Sequence, residues 1–196
     1  MLQNRWFMLA VLFVVRVSMG FQFQSVASVA PSLVKAFDSD YAHIGSLIGF
    51  YMLPGVVLAL PGGMLGARFG DKRVTLLALA LMALGGVILG LSDNYLLAAF
   101  GRIISGIGGA VFSVVMTKML TDWFAGREIV AALSIFINSW PVGVGLGLLL
   151  QGRLAANNGW PSVFLVTAAV CAVSLVLLAL FYRSPRSAAA AGPVGV

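Results

Sequence analysis

Gly62-Gly63-Met64-Leu65-Gly66-Ala67-Arg68-Phe69-Gly70-Asp71-Lys72-Arg73 decides how the rest of the chain is read. Glycines at 62, 66 and 70 are four apart, so on a helix they form a smooth stripe along which another backbone can approach closely. The stretch then runs into Arg68, Lys72 and Arg73, where the chain must turn outside lipid between two long apolar segments. Basic residues at such a turn mark the cytoplasmic side of a membrane.

Composition agrees with that reading. Hydrophobic residues make up 61% of the 196 and charged residues only 9%, against about 25% charged in an average soluble domain. The net charge of +6 does not point to nucleic acid, because the cations stand singly at the ends of apolar runs without a basic patch interleaved with aromatics. The single cysteine, Cys171, lies inside an apolar run and excludes a disulfide framework. The first apolar run is too long for a signal-peptide core and lacks a small-residue cleavage site.

A span needs about 20 mostly apolar residues, and six such segments fit, at 6–30, 41–65, 74–91, 95–120, 129–150 and 161–182. The fold expected is therefore an all-α membrane protein, a six-helix bundle over 1–183, with 184–196 a disordered tail or the start of a linker. With the N-terminus inside, cytoplasmic segments collect Arg5, Arg68, Lys72, Arg73, Lys118, Arg127, Arg183 and Arg186, whereas outer loops hold only Lys35 and Arg153. That bias places both termini in the cytoplasm, with a bacterial inner membrane as the expected location.

Two arginines escape this topology. Arg16 falls near the middle of the first span and Arg102 about two turns into the fourth, where an arginine costs about 2.5 to 3.5 kcal/mol on translocon scales. No Asp or Glu lies deep in any span. Cations without a protein counter-ion suit an anionic, small-molecule ligand. Gln24 lies about 80° around the helix from Arg16 and borders the same region, while Gln22 points elsewhere. Asn138, Ser139 and Trp140 form a polar interruption just before Pro141. The candidate substrate residues are accordingly Arg16, Gln24, Arg102 and Asn138. No metal spacing, cofactor motif or catalytic constellation is present, and the chain reads as a non-enzyme.

Internal organisation adds to this. Pro54-Gly55 is echoed by Pro141-Val142-Gly143, each followed by glycines and a Gly-Arg-type exit, Gly66-Ala67-Arg68 and Gly152-Arg153. The echo points to a three-plus-three inverted repeat in which spans one and four, the carriers of the two arginines, are equivalent.

These motifs resemble the major facilitator superfamily. Its loop motif, G-x-x-x-D-R-x-G-R-R, is matched in kind by Gly63, Arg68, Gly70, Lys72 and Arg73, with Ala67 at the aspartate position and Asp71 inserted before the basic pair. Its fourth-helix signature is similar to Arg102 followed by Gly106, Gly108 and Gly109, and its fifth-helix signature is partly met by Pro141, Gly143 and Gly147. The resemblance implies an N-terminal six-helix half working by alternating access. It also implies helix packing at Gly62, Gly66, Gly106, Gly109, Pro141, Gly143 and Gly147. A cytoplasmic latch would use Gly63, Arg68, Gly70, Lys72 and Arg73, with Arg68 pairing to Asp122. Gly20-Phe21-Gln22-Phe23-Gln24-Ser25 and Asp122-Trp123-Phe124-Ala125-Gly126-Arg127-Glu128 are similar to permeases of the cyanate and nitrate/nitrite type.

The resembled transporters have twelve helices. Six imply a fragment, a half pairing with a separately encoded half, or a homodimer; the tail from Ala188 favours the fragment, since it looks like the start of a central loop. The lipid bilayer is the other expected partner. The alternatives are a non-transporting scaffold or assembly subunit, a truncated inactive fragment, a channel, and an intramembrane protease. The last lacks a serine placed to meet the one histidine, His43.

Overall fold

A computed structural model describes residues 4–126 and 128–185. Arg127, Arg186 and the expected tail from residue 186 lie outside them. Among the described residues eight α-helices follow one another: α1 (Arg5–Ser28), α2 (Ala30–Ala36), α3 (Tyr41–Phe69), α4 (Asp71–Gly90), α5 (Tyr95–Trp123), α6 (Ile129–Ile137), α7 (Ser139–Asn158) and α8 (Trp160–Phe181). Taking α6 and α7 as one interrupted helix, six are long and apolar enough to cross a bilayer.

Local chemistry sets the helix ends. Asn4, Asp40 and Asn94 cap α1, α3 and α5 by accepting from backbone N–H groups of the first turn. At the start of α3, the His43 backbone N–H and then its ring hold the Asp40 carboxyl below its ordinary range, so the cap stays ionised to lower pH. Gly70 at φ 91 ends α3 and starts α4, a backbone turn that an L side chain would strain. The first span, expected to run unbroken to residue 30, stops at Ser28; Pro31, which has no N–H to donate, opens the separate α2.

Pro141 breaks the fifth span. It cannot donate to the Ile137 carbonyl, and the helix resets at Asn138 before Val142 donates to the Asn138 carbonyl at 3.2 Å. Ser139 meanwhile donates its hydroxyl to the Phe136 carbonyl at 2.5 Å. A broken helix is tolerated in a bilayer where side chains re-satisfy the freed groups.

Two triplets, α1/α3/α4 and α5/α6–α7/α8, interlock. The main packing is α1 on α7 and α8, α5 on α3 and α4, and α4 on α8. Exchanging the triplets maps α1–α7 onto α5–α3 and α1–α8 onto α5–α4, and leaves α4–α8 in place, as a three-plus-three repeat requires. One apolar cluster is built around Leu12, Leu79, Phe112 and Met119, and a second around Val26, Leu47, Leu89 and Phe164. The buried polar residues Gln22, Ser25, Arg102 and Ser105 fall between them along the chain.

Candidate functional site

The two intramembrane arginines have different environments. Arg102 on α5 is 1% exposed. Its Nε donates to the Leu47 carbonyl at 3.2 Å, Nη2 to Phe23 at 3.3 Å and Nη1 to Gln22 at a long 3.5 Å, and its guanidinium carbon lies 4.8 Å from the centre of the Tyr51 ring. The charge is dispersed over carbonyl dipoles of α1 and α3, so Arg102 fastens three helices together. The sequence expectation of two cations without protein partners therefore separates: for Arg102, backbone oxygens take the place of a carboxylate.

Arg16 on α1 is only half-buried. Its Nη1 donates to the Phe136 carbonyl at 3.1 Å, and the guanidinium carbon lies 4.4 Å from the Phe136 ring centre. This is the end of α6, where the Pro141 break leaves carbonyls to side-chain donors. A guanidinium has five N–H donors. Arg16 uses one, and its Nε is buried without a partner among the described residues.

Gln24 and Asn138 make no hydrogen bond to Arg16 among the described residues. The stem of Gln24 packs against Gly147, and Asn138 turns its Nδ2 back to the Ser134 carbonyl at 2.7 Å. Gln22 is buried and ties α1 to α4 through the Met82 carbonyl at 2.7 Å. The structure instead joins Arg16 to aromatics. Phe23 packs on Trp140, ring centres 5.0 Å apart, and edge-on to Tyr51 at 5.6 Å. Sequence reasoning passed over Phe23, Tyr51 and Phe136. The available signal was spacing: Phe23 is seven residues from Arg16 and Phe136 four from Trp140, so each pair shares a helix face.

Glycines at the helix crossings bring the facing helices close, Gly106 and Gly143 against backbone and Gly109 against a side chain. A Cβ on Gly106 would strike the Tyr51 carbonyl, and on Gly109 the Tyr51 hydroxyl at 2.7 Å; on Gly143 it would strike the Val17 carbonyl. Gly62 and Gly66 face Val111 and Val115 of α5, and Gly63 faces Val114. Pro141 is exposed; its part is to break the helix, not to pack.

At the expected cytoplasmic end the ion pairs differ from expectation. Arg68 does not pair with Asp122; it is exposed, its guanidinium 5.5 Å from the Phe69 ring. Asp122 is taken by Lys118, one helical turn away at 3.0 Å, and the same ammonium reaches Asp71 at 2.5 Å. The inserted Asp71 thus joins α4 to α5. Lys72 caps α8 by donating to the Ala179 and Tyr182 carbonyls at 2.7 and 2.9 Å, and Arg73 is exposed.

Interlocked triplets with an arginine on the first helix of each define an integral membrane protein built as one six-helix half of a fold that solute transporters use. The chain belongs to the Major Facilitator Superfamily, whose family model matches residues 12–195. It is 28% identical over 166 residues to the MFS-type transporter ppz2 of Metarhizium majus, covering 83% of this chain and 28% of that protein. It is 25% identical over 156 residues to the quinolone resistance protein NorB of Staphylococcus aureus, covering 79% and 34%. Among solved structures, the D-xylose-proton symporter superposes with TM-score 0.74 at 19% identity, covering 95% of this chain and 50% of that one. The inward open xylose transporter XylE of E. coli gives 0.74 at 17%, covering 93% and 49%. This chain thus spans about a third or less of those curated relatives and half of those structures.

Proposed function

We propose that the chain forms one half of an alternating-access transporter for an anionic solute, with Arg16 as the charge that receives the anion. The observation that carries this is the half-buried guanidinium with one protein acceptor and a buried, unpartnered Nε. A second six-helix half, or a second copy, would cover the apolar face of α3 that exposes Met52, Leu53, Val56, Val57, Leu60 and Met64. The basic residues support cytoplasmic termini and a bacterial inner membrane.

Arg16→Gln in the full-length gene product is expected to cut uptake of its anion 10- to 100-fold, since a hydrogen bond to a charged group is worth about 1.5–3 kcal/mol. Uptake is measured in proteoliposomes over a panel of radiolabelled small anions. Wild-type rates in the variant would refute the assignment.

Lys118 supports the reading of a cytoplasmic switch, because it holds α4 to α5 through Asp71 while pairing with Asp122 on its own helix. Its side chain is 43% exposed, so Lys118→Met should change stability by no more than about 1 kcal/mol. The same loss is expected to shift the balance between inward- and outward-open forms, both of which a transporter must populate. Labelling of single cysteines placed on each face reads that balance; unchanged labelling would remove Lys118 from the switch.

A further inference from the structure

The open guanidinium and an aromatic pair lie at two levels along α1. Arg16 and Phe23 are seven residues apart on α1, which puts them on one face, about 20° apart in rotation and about 10.5 Å apart along the axis. On the facing helix Phe136 and Trp140 straddle the Asn138 break. Phe136 lies 4.4 Å from the Arg16 guanidinium carbon, and Trp140 lies against Phe23 with ring centres 5.0 Å apart and planes at 45°. Gly20 lies between Arg16 and Phe23 on α1 and meets Gly143, three residues beyond Trp140, backbone to backbone; a Cβ on Gly143 would come within 3.0 Å of the Gly20 Cα. That contact draws α1 and α7 together. Arg16, Phe23 and Trp140 are each only partly buried.

We propose that the solute is an amphipathic organic anion whose carboxylate or sulfonate pairs with Arg16 and whose aromatic ring packs on Phe23 and Trp140. This rests on the reading of Arg16 as the anion-receiving group. The spacing selects for length: the charged group and the ring must be separated by a short linker to reach both levels. A bare inorganic ion engages Arg16 and gains nothing from the aromatic pair. A ring on that pair adds aromatic contact worth roughly a tenfold gain in affinity. Phe23 is also held from behind by Tyr51, whose own face lies under Arg102, so the ring platform is formed before the solute arrives and little ordering cost opposes binding.

The test is isothermal titration of the full-length gene product in detergent with 4-phenylbutyrate, butyrate and nitrate. The expected result is 4-phenylbutyrate binding roughly tenfold more tightly than butyrate, with that ratio falling towards one in Phe23→Leu and in Trp140→Leu, and binding lost in Arg16→Gln. A thermal melt of each variant accompanies the titration, and if both aromatic variants fail to fold the wild-type ratio decides. Nitrate or butyrate binding as tightly as 4-phenylbutyrate would overturn the aromatic class while leaving the anion site standing. A ratio unchanged in both folded aromatic variants would overturn it too. If the wild type binds none of the three, or Arg16→Gln binds them all as well as the wild type does, the anion reading falls and this inference with it.

Discussion

Arg102→Ala is expected to lower the stability of the protein by about 3–5 kcal/mol, a loss of the size seen when a large buried side chain with several partners is truncated. The wild-type guanidinium is 1% exposed and bonds three carbonyls on two other helices. Alanine removes those bonds and leaves a void. The carbonyls keep their own helical N–H donors, which limits the damage. Arg102→Met should be milder, because it refills much of the space and removes the cost of holding a charge out of water. Circular dichroism melts in detergent, with Arg16→Gln alongside, measure the effect; the Arg102→Ala midpoint should fall on the order of 10 °C. A midpoint equal to that of Arg16→Gln would show that Arg102 does not fasten these helices.

Alanine at Gly106 or Gly143 should cost about 1–3 kcal/mol each. At Gly106 a Cβ would come within 2.9 and 3.0 Å of the Tyr51 carbonyl carbon and Cα; at Gly143, within 2.9 Å of the Phe21 nitrogen. These neighbours are backbone atoms, so no rotamer change makes room and the helices must move apart. Gly49→Ala is the control, since a Cβ there meets nothing within 4 Å. It should gain up to about 1 kcal/mol from lower unfolded-state entropy and better helix propensity. Equal melting shifts at Gly49 and Gly143 would remove the close-approach argument. Because a Cβ on either glycine would strike a backbone carbonyl oxygen equally closely, Gly106→Ala and Gly143→Ala should produce losses of similar size.

Much of the scaffold was legible in the chain. Apolar runs marked the membrane helices, because lipid leaves a spanning backbone few other ways to bond itself. Pro141 lies at a break in the fifth helix, which was expected to run unbroken over 129–150, and Gly106 and Gly143 lie where helices approach closely. The ion pairing around the α3–α4 turn was misread although its signal was present. Lys118 and Asp122 are four apart on one helix, which favours an ion pair, and the family pattern drew attention to Arg68 instead. Asp71, an insertion relative to that pattern, was passed over as a partner, and it meets Lys118 because Gly70 turns the chain back toward α5.

The two arginines mark the limit of sequence reading. Each stands inside a membrane helix, about two turns or more from its start, with a glycine four residues on, so local sequence makes them equivalent. Sequence alone determined that both are cations in lipid without a carboxylate nearby, because residue type and hydrophobic context are local properties. Only the tertiary structure decided that Arg102 is enclosed by carbonyls of α1 and α3 while Arg16 keeps free donors beside Phe136. The physical reason is that a charge is satisfied by whatever oxygens the folded helices bring to it, and those lie 79 and 55 positions away for Arg102 and 120 for Arg16.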